Sequence, residues 1–191
     1  EIDSGTSMSC PITAGATAVF FQFYNATHPG FFPSPALAKA AMVNGAVDMG
    51  LGYPSNSQGW GRIDLLRSIQ GPPGGSIAFI DQREITPLVT AATWTKTLSV
   101  DNAGIPLKIT LVWSDPPGAA NCSSCLINNL NLVVTSPTST IYRGNQLTAS
   151  WSTPGATGTD TANNVENVFV QTPAVGTWTI QVTSANTATN P

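Results

Sequence analysis

Charged side chains are scarce in this sequence: Asp, Glu, Lys and Arg together make up 9% of its 191 residues, against about 25% in ordinary soluble domains. The formal net charge is only −3, so neither nucleic acid nor an anionic membrane surface is an implied partner. The sequence has no apolar run of about 18 residues, and we therefore expect no helix that crosses a membrane. Hydrophobic residues still make up 41% of the chain, which is enough for a buried core in one or two domains.

Cysteine is almost as rare, with only Cys10, Cys122 and Cys125. A redox Cys-x-x-Cys pair would open a helix in a thioredoxin-like unit, and a zinc site would need a second Cys/His pair; the sequence offers neither. A local disulfide between Cys122 and Cys125 is therefore favoured, with Cys10 as a small buried thiol. Together with the glycosylation sequons at Asn25 and Asn121, this pattern predicts a secreted, extracellular protein.

The most specific pattern is at residues 4–11, which read Ser-Gly-Thr-Ser-Met-Ser-Cys-Pro and precede an apolar segment of small residues. An ordinary capped helix start is one interpretation, since Ser and Thr favour N-caps. The whole pattern resembles the nucleophile motif of the subtilisin-like serine proteases, the subtilases. That resemblance implies that Ser7 is the catalytic nucleophile and that Gly5 and Thr6 support its loop. A helix N-terminus beside such a serine suits a developing oxyanion.

The following segments are also similar to the C-terminal run of a subtilase catalytic domain. Residues 12–24 are apolar on nearly every side, which predicts a buried helix. Ser34 and the proline after it indicate the capped start of a second helix, which ends near Gly45. Residues 59–64 then lead into a short helix. We therefore predict that residues 1–70 are the C-terminal part of a subtilase catalytic domain.

A glycine- and proline-rich linker at residues 70–75 separates this part from a region of different periodicity. Several later runs alternate apolar and polar residues, as strands do. The pattern predicts that residues 71–191 form an antiparallel β-sandwich or jelly roll, which makes the whole chain α+β. The predicted strands are residues 77–80, 93–98, 107–113, 130–134, 167–170 and 177–182.

The strand-rich region resembles the β-sandwich appended to a group of secreted subtilases, which is similar in architecture to the P-domain of the proprotein convertases. The resemblance rests on residues 107–115, 128–132, 163–168 and 176–180. A second interpretation is an unrelated secreted jelly roll. Related domains usually continue with one more strand, so we expect the last strand to be lacking here.

Related sandwiches contain bound calcium beside an acidic stretch. The resemblance therefore also implies a structural calcium ion. Here the corresponding residues are Asn129 and Asn131, and the loss of two charges weakens any such site. Asp115, Asp160 and Glu166 could contribute oxygen ligands; Asn129, Asn131, Asp160 and Glu166 are the weak candidates for the site. The alternative is that the asparagines cap turns between strands. No cofactor is expected for the chemistry itself.

The resemblance also implies a catalytic His and Asp, which lie upstream of the nucleophile in the family. The one histidine of the sequence, His28, follows the motif helix and should lie more than about 20 Å from Ser7. We therefore expect part of a secreted serine endopeptidase that acts on peptides or proteins and is inactive without an upstream portion, present as a separate chain or a longer polypeptide. The alternative is a non-catalytic extracellular structural or binding protein built on a cleaved or degenerate subtilase.

Overall fold

The computed structural model describes residues 5–81, 88–123 and 125–188. The chain divides into two units, residues 1–81 and residues 82–191, here termed the helical unit and the sheet unit. Helices thus precede antiparallel sheets, and the chain is α+β. The jelly-roll topology stays a prediction, because the sheets described below do not close on one another.

The helical unit begins with α1 (Thr6–Thr27), which starts six residues before the predicted helix. Its first turn forms because the N–H groups of Met8 and Ser9 both donate to the Gly5 carbonyl. Pro11 lies beyond this first turn, where its ring nitrogen cannot donate to the Ser7 carbonyl four residues back.

Two shorter helices complete this unit, α2 (Pro35–Gly45) and α3 (Leu65–Gln70). The Ser34 hydroxyl caps α2 by accepting from the Leu37 N–H, which confirms the predicted helix start. Asp64 caps α3 in the same way. The helices approach closely at Gly45, where an added Cβ would lie only 2.3 Å from the Ser68 hydroxyl oxygen.

The core of the helical unit lies between α2 and the C-terminal half of α1. Its buried residues are Phe20, Tyr24, Leu37, Ala38, Ala41 and Met42. Phe79 packs edge-on against Phe20, with ring centroids 5.3 Å apart. Residues 77–80 contain no strand, so that strand prediction is wrong: the apolar run is used to cover helices.

In its described residues the sheet unit contains eight strands. Its largest sheet has the order β1-β8-β3-β4, while β2 pairs with β7 and β5 pairs with β6, all antiparallel. The strands are β1 (Thr93–Val100), β2 (Leu107–Val112), β3 (Asn128–Thr135), β4 (Ile141–Arg143), β5 (Leu147–Thr148), β6 (Trp151–Ser152), β7 (Val165–Val170) and β8 (Gly176–Thr187).

One apolar cluster joins the four-stranded sheet to the β2–β7 pair. Leu132, Val134 and Trp178 from the first sheet pack with Val168 and Val170 of β7. The β7 strand is buried along its whole length, because its other face is also covered. There the Phe169 N–H donates to the Ser152 hydroxyl of β6, and the Lys108 ammonium group lies 4.8 Å from the Phe169 ring centroid.

Candidate nucleophile site

The three residues of the predicted nucleophile motif lie together at the start of α1. Gly5 is the N-cap residue, Thr6 is the first helical residue and Ser7 is the second. All three are exposed. Gly5 has an extended backbone (φ 161°, ψ 173°), and among the described residues only the Met8 sulfur, at 3.9 Å, lies near its hypothetical Cβ. In this structure Gly5 therefore needs neither a left-handed conformation nor unusually close packing.

The electrostatic setting of Ser7 is that of an open helix N-terminus. The first turn of α1 carries no acidic residue, and no side chain caps it within the described residues. Among the described residues, no acidic side chain therefore neutralises the positive end of this 22-residue helix. A developing negative charge beside Ser7 would be stabilised there.

His28 lies at the opposite end of the same helix, as the residue that follows α1. Its ring stacks on Tyr24 with centroids 4.2 Å apart, and its Nδ1 lies 3.0 Å from the Thr27 hydroxyl oxygen. The length of the helix puts Ser7 and His28 about 30 Å apart. His28 is exposed, and it cannot take a proton from Ser7.

The described carboxylates of the helical unit are each engaged in local structure. One oxygen of Asp48 accepts from three successive backbone N–H groups and from the Gln58 amide. Asp64 caps α3, and Asp81 accepts from the backbone and hydroxyl of Ser34. Among the described residues of this unit, none forms a base or an orienting carboxylate beside Ser7.

The motif, α1 and α2 all lie in the part of the chain that matches a known protein family. Residues 2–61 match the subtilase family. This range, here termed the subtilase segment, includes Ser7 and ends at Gly61, before α3. The prediction of a subtilase-like N-terminal part is confirmed for residues 2–61.

Two known proteins resemble a larger part of the chain, and both come from Dictyostelium discoideum. The serine protease/ABC transporter B family protein tagA is 28% identical over 201 residues, an alignment that covers 95% of this chain. The similarly named protein tagD is 26% identical over 227 residues, covering 87% of this chain. The chain spans only 11% and 12% of the lengths of these relatives. The first alignment extends beyond the subtilase segment into the sheet unit.

No helix in the described ranges is long and apolar enough to span a membrane. Peptide or protein substrates, an extracellular location and the missing catalytic partner stay predictions.

The four weak candidates for calcium ligands have different surroundings in the sheet unit. The Asp160 carboxylate accepts four hydrogen bonds, from Asn145, from Ala162 and twice from Asn163. Burial raises the pKa of Asp160, but these hydrogen bonds outweigh it and the pKa lies below its usual value. Glu166 is buried, accepts from the Leu132 N–H, and has a pKa raised to about 8.

Calcium favours ionised carboxylates with oxygens free to coordinate it. Asp160 does not fit that requirement, because both of its carboxylate oxygens already accept hydrogen bonds. Glu166 is buried and accepts from the Leu132 N–H. The side-chain oxygens of Asn129 and Asn131 are buried without a partner among the described residues. No cluster of three or more His, Cys, Asp or Glu residues suited to a metal occurs in the described chain, and bound calcium stays a prediction.

The expected disulfide joins Cys122 and Cys125. Cys10 is a free thiol as predicted, but it is exposed rather than buried. That part of the prediction is wrong because residues 5–15 of α1 are all exposed in the described structure.

Both sequons stay predictions as glycosylation sites, and their surroundings differ. Asn121 is exposed in a turn with φ 61°. Asn25 is half-buried, and its amide nitrogen donates to the Phe31 carbonyl at 3.2 Å.

We expect iodoacetamide to modify Cys10 alone in the native chain, because Cys122 and Cys125 are bonded to each other. Reduction under denaturing conditions should then expose two further thiols. Peptide mass spectrometry measures both states, and Cys10→Ser should leave the native chain unmodified. Native modification of Cys122 or Cys125 would contradict this assignment.

Sequence reasoning missed the way in which the loop before β3 is held. Both oxygens of Asp115 accept backbone N–H groups, from Ile127 and Asn128, each at 2.8 Å. The Trp113 indole N–H also donates to the Asn128 carbonyl. Asp115 therefore ties the end of the loop to its beginning. Its place directly after a predicted strand was the available signal.

Proposed function

We propose that this chain is the nucleophile-bearing part of a secreted subtilisin-like serine endopeptidase, with Ser7 attacking the peptide carbonyl. The observation that supports it most is the Gly-Thr-Ser motif at the N-terminus of a 22-residue helix, inside the segment that matches the subtilase family. Similarity to serine proteases over most of the chain gives further support.

The proposed reaction begins when a histidine takes the proton of the Ser7 hydroxyl while its oxygen attacks the substrate carbonyl. An aspartate orients that histidine, and Gly5 and Thr6 shape the nucleophile loop. The histidine, the aspartate and a side-chain donor to the oxyanion come from an upstream portion of the same protease, as a separate chain or a longer polypeptide. This division is supported by the distance of His28 from Ser7 and by the local contacts of Asp48, Asp64 and Asp81.

Exposed apolar residues on α1 support an interaction with the same upstream portion. Ile12 is 62% exposed and Val19 is 46% exposed, although both lie in a helix dominated by apolar and small residues. Burying such side chains against the upstream portion would stabilise the assembly by about 1.5 to 3 kcal/mol for each one fully covered.

We further propose that the sheet unit is the β-sandwich appended to secreted subtilases, completed by a further strand. The single core shared by the four-stranded sheet and the β2–β7 pair supports a sandwich. The disulfide, the low charge and the sequons at Asn25 and Asn121 support an extracellular location.

Assembled with the upstream portion, the chain should react with a fluorophosphonate probe at Ser7, and alone it should not. Loss of a single triad member lowers rates by several orders of magnitude, and the isolated chain lacks two. Ser7→Ala should abolish labelling without changing assembly, because the exposed hydroxyl takes no part in the packing of α1. Gel fluorescence and peptide mapping measure the labelling.

Ser9→Ala is the matched control, since Ser9 lies two residues along the same exposed turn and its hydroxyl only bonds to the Gly5 carbonyl. It should keep full labelling. A folded assembly that does not label at Ser7 would overturn the enzyme proposal, and the non-catalytic extracellular alternative would then be preferred.

A further inference from the structure

The strand β1 forms one edge of the four-stranded sheet. It runs antiparallel to β8, with Trp94 opposite Val182, and no described strand pairs with its other side. Five of its eight residues are exposed. A long exposed edge strand is a template for pairing with another chain, so this edge is a candidate interaction surface.

The hydrogen bonds of the sheet determine which backbone groups of β1 point outwards. Leu132 of β3 donates its N–H to Glu166, and its carbonyl accepts from Gly144, so its backbone faces away from β8. Val182 lies opposite Leu132 on β8 and opposite Trp94 on β1. Because hydrogen-bonded and non-hydrogen-bonded pairs alternate in an antiparallel sheet, the backbone of Val182 bonds to Trp94.

The backbone N–H and carbonyl groups of Thr93, Thr95 and Thr97 therefore point away from β8. These groups have no backbone partner among the described residues. The three side chains are also exposed, and β-branched residues favour strand pairing. The edge thus presents alternating donors and acceptors that one more antiparallel strand would satisfy.

This edge is complementary to itself when a second copy of β1 pairs with it about a two-fold axis at Thr95. Each Thr95 then lies opposite the other, and Thr93 lies opposite Thr97 of the second copy. All of these are hydrogen-bonded pairs, which gives about six backbone hydrogen bonds between the copies.

The same arrangement places Lys96 directly opposite Trp94 of the second copy. Lys96 is exposed, and Trp94 is half-buried at the margin of the core. Side chains approach closely in such a non-hydrogen-bonded pair, so the ammonium group reaches the indole ring and is attracted to it. A lysine on an edge strand often prevents pairing, and an axis at Lys96 would oppose the two lysines. The axis at Thr95 replaces that repulsion with two cation–π contacts.

We propose that two copies of this chain associate through β1, which joins their four-stranded sheets into one continuous sheet. The contact uses the same residues on both copies and therefore closes as a dimer. Lys96 is the only charged residue of the strand, so no second charge on β1 opposes the contact. The association does not involve Ser7 and is separate from the proposed peptidase activity.

Sedimentation velocity of the full chain over a range of concentrations tests the proposal, and we expect a reversible dimer at about 0.1 mM. Thr95→Pro removes the N–H at the two-fold axis and should weaken association by at least about tenfold. An edge strand tolerates proline where the N–H faces outwards. Thr95→Val is the matched control, because it keeps the N–H and should associate like the wild type.

Lys96→Glu should weaken association several-fold, because it places a carboxylate against the indole ring; it carries the test if Thr95→Pro does not fold. Cross-linking checks the register in a Cys10→Ser background, which removes the exposed free thiol. Thr95→Cys should give a disulfide-linked dimer on mild oxidation, because opposed Cα atoms about 5.5 Å apart suit a disulfide. Ser99→Cys lies beyond the paired residues and should not cross-link.

Three results would overturn the proposal. A chain that stays monomeric at about 0.1 mM would leave this edge to a further strand of the polypeptide. Association that is unchanged in both Thr95→Pro and Lys96→Glu would place the contact elsewhere, for example on the exposed side chains of α1. Cross-linking of Ser99→Cys without cross-linking of Thr95→Cys would exclude the two-fold axis at Thr95.

Discussion

Replacing Trp178 with alanine should lower the free energy of unfolding of the sheet unit by about 3 to 5 kcal/mol. Trp178 is 1% exposed at the centre of the core, and its ring centroid lies 5.8 Å from that of Tyr142. Its indole N–H donates to the Ala174 carbonyl at 2.8 Å. Deleting the ring leaves a cavity and an unpaired carbonyl, and the loss is a large fraction of the about 5 to 15 kcal/mol that stabilises most domains.

Urea unfolding followed by circular dichroism measures this loss. Trp178→Phe keeps most of the ring volume and should cost clearly less than the alanine variant. Trp94→Ala removes a half-buried tryptophan that packs at the edge of the same core and should also cost less. A Trp178→Ala chain that unfolds at the wild-type urea concentration would show that the core is not organised around this ring.

The sheet unit should also lose stability as the pH rises, because of Glu166. This side chain is 1% exposed, and no described cation forms an ion pair with it. Burial raises the pKa of Glu166 from its ordinary 4.5 to about 8; the hydrogen bond from the Leu132 N–H opposes the rise and the nearby Asp160 adds to it. The folded state therefore holds a proton that the unfolded state has already released.

The sign of the pH effect follows from this difference in bound protons. Below pH 4.5 Glu166 is protonated in both states and takes nothing from the stability of the sheet unit. Between pH 4.5 and about 8 stability falls, and above that range the loss, on the order of 5 kcal/mol, is complete. Asp160 has a lowered pKa, so its stabilising contribution is lost only on acidification and does not affect this range.

Glu166→Gln, a neutral analogue of the protonated side chain, should remove this pH dependence. Urea unfolding at pH 5 and pH 8.5 should give similar stabilities for the variant and a lower value at pH 8.5 for the wild type. Asp101→Asn changes an exposed carboxylate in the same unit and should keep the wild-type dependence. A Glu166→Gln chain that still loses stability towards pH 8.5 would exclude Glu166 as the cause.

Local signals predicted the parts of the fold that depend on neighbouring residues. Ser34 and the following proline fix the start of α2, and its hydroxyl makes the expected cap. The alternation in residues 130–134 predicted β3, whose buried and half-buried residues alternate. In both cases the stabilising contact lies within a few residues or follows directly from strand geometry.

The missed parts depend on residues far apart in sequence. Strands β4, β5 and β6 have only two or three residues each, too few to show a period. The turn after β4 is held by Asn145, whose amide nitrogen donates to Asp160 and to the Val165 carbonyl and whose oxygen accepts from the Asn167 N–H. No local pattern identifies such partners.

The candidate site also combines features that neighbouring residues predict with features that depend on residues far apart in sequence. The motif around Ser7 predicted a helix start and a nucleophile from neighbouring residues alone, and the helix start is present. The burial of Glu166 and the edge position of β1 depend on how the strands pack and pair. The interpretation of Asn129 and Asn131 as ligands or turn caps could not be decided from residue type.

The loop held by Asp115 tolerates changes in length. Because Asp115 and Trp113 hold the backbone at Ile127 and Asn128, the entry to β3 is fixed independently of the residues between. Doubling the length of a flexible loop adds only about 0.6 kcal/mol of closure entropy. Residues 119–121, which are exposed, are therefore a suitable place to graft an affinity tag, a reporter peptide or an inserted domain without altering the sheet.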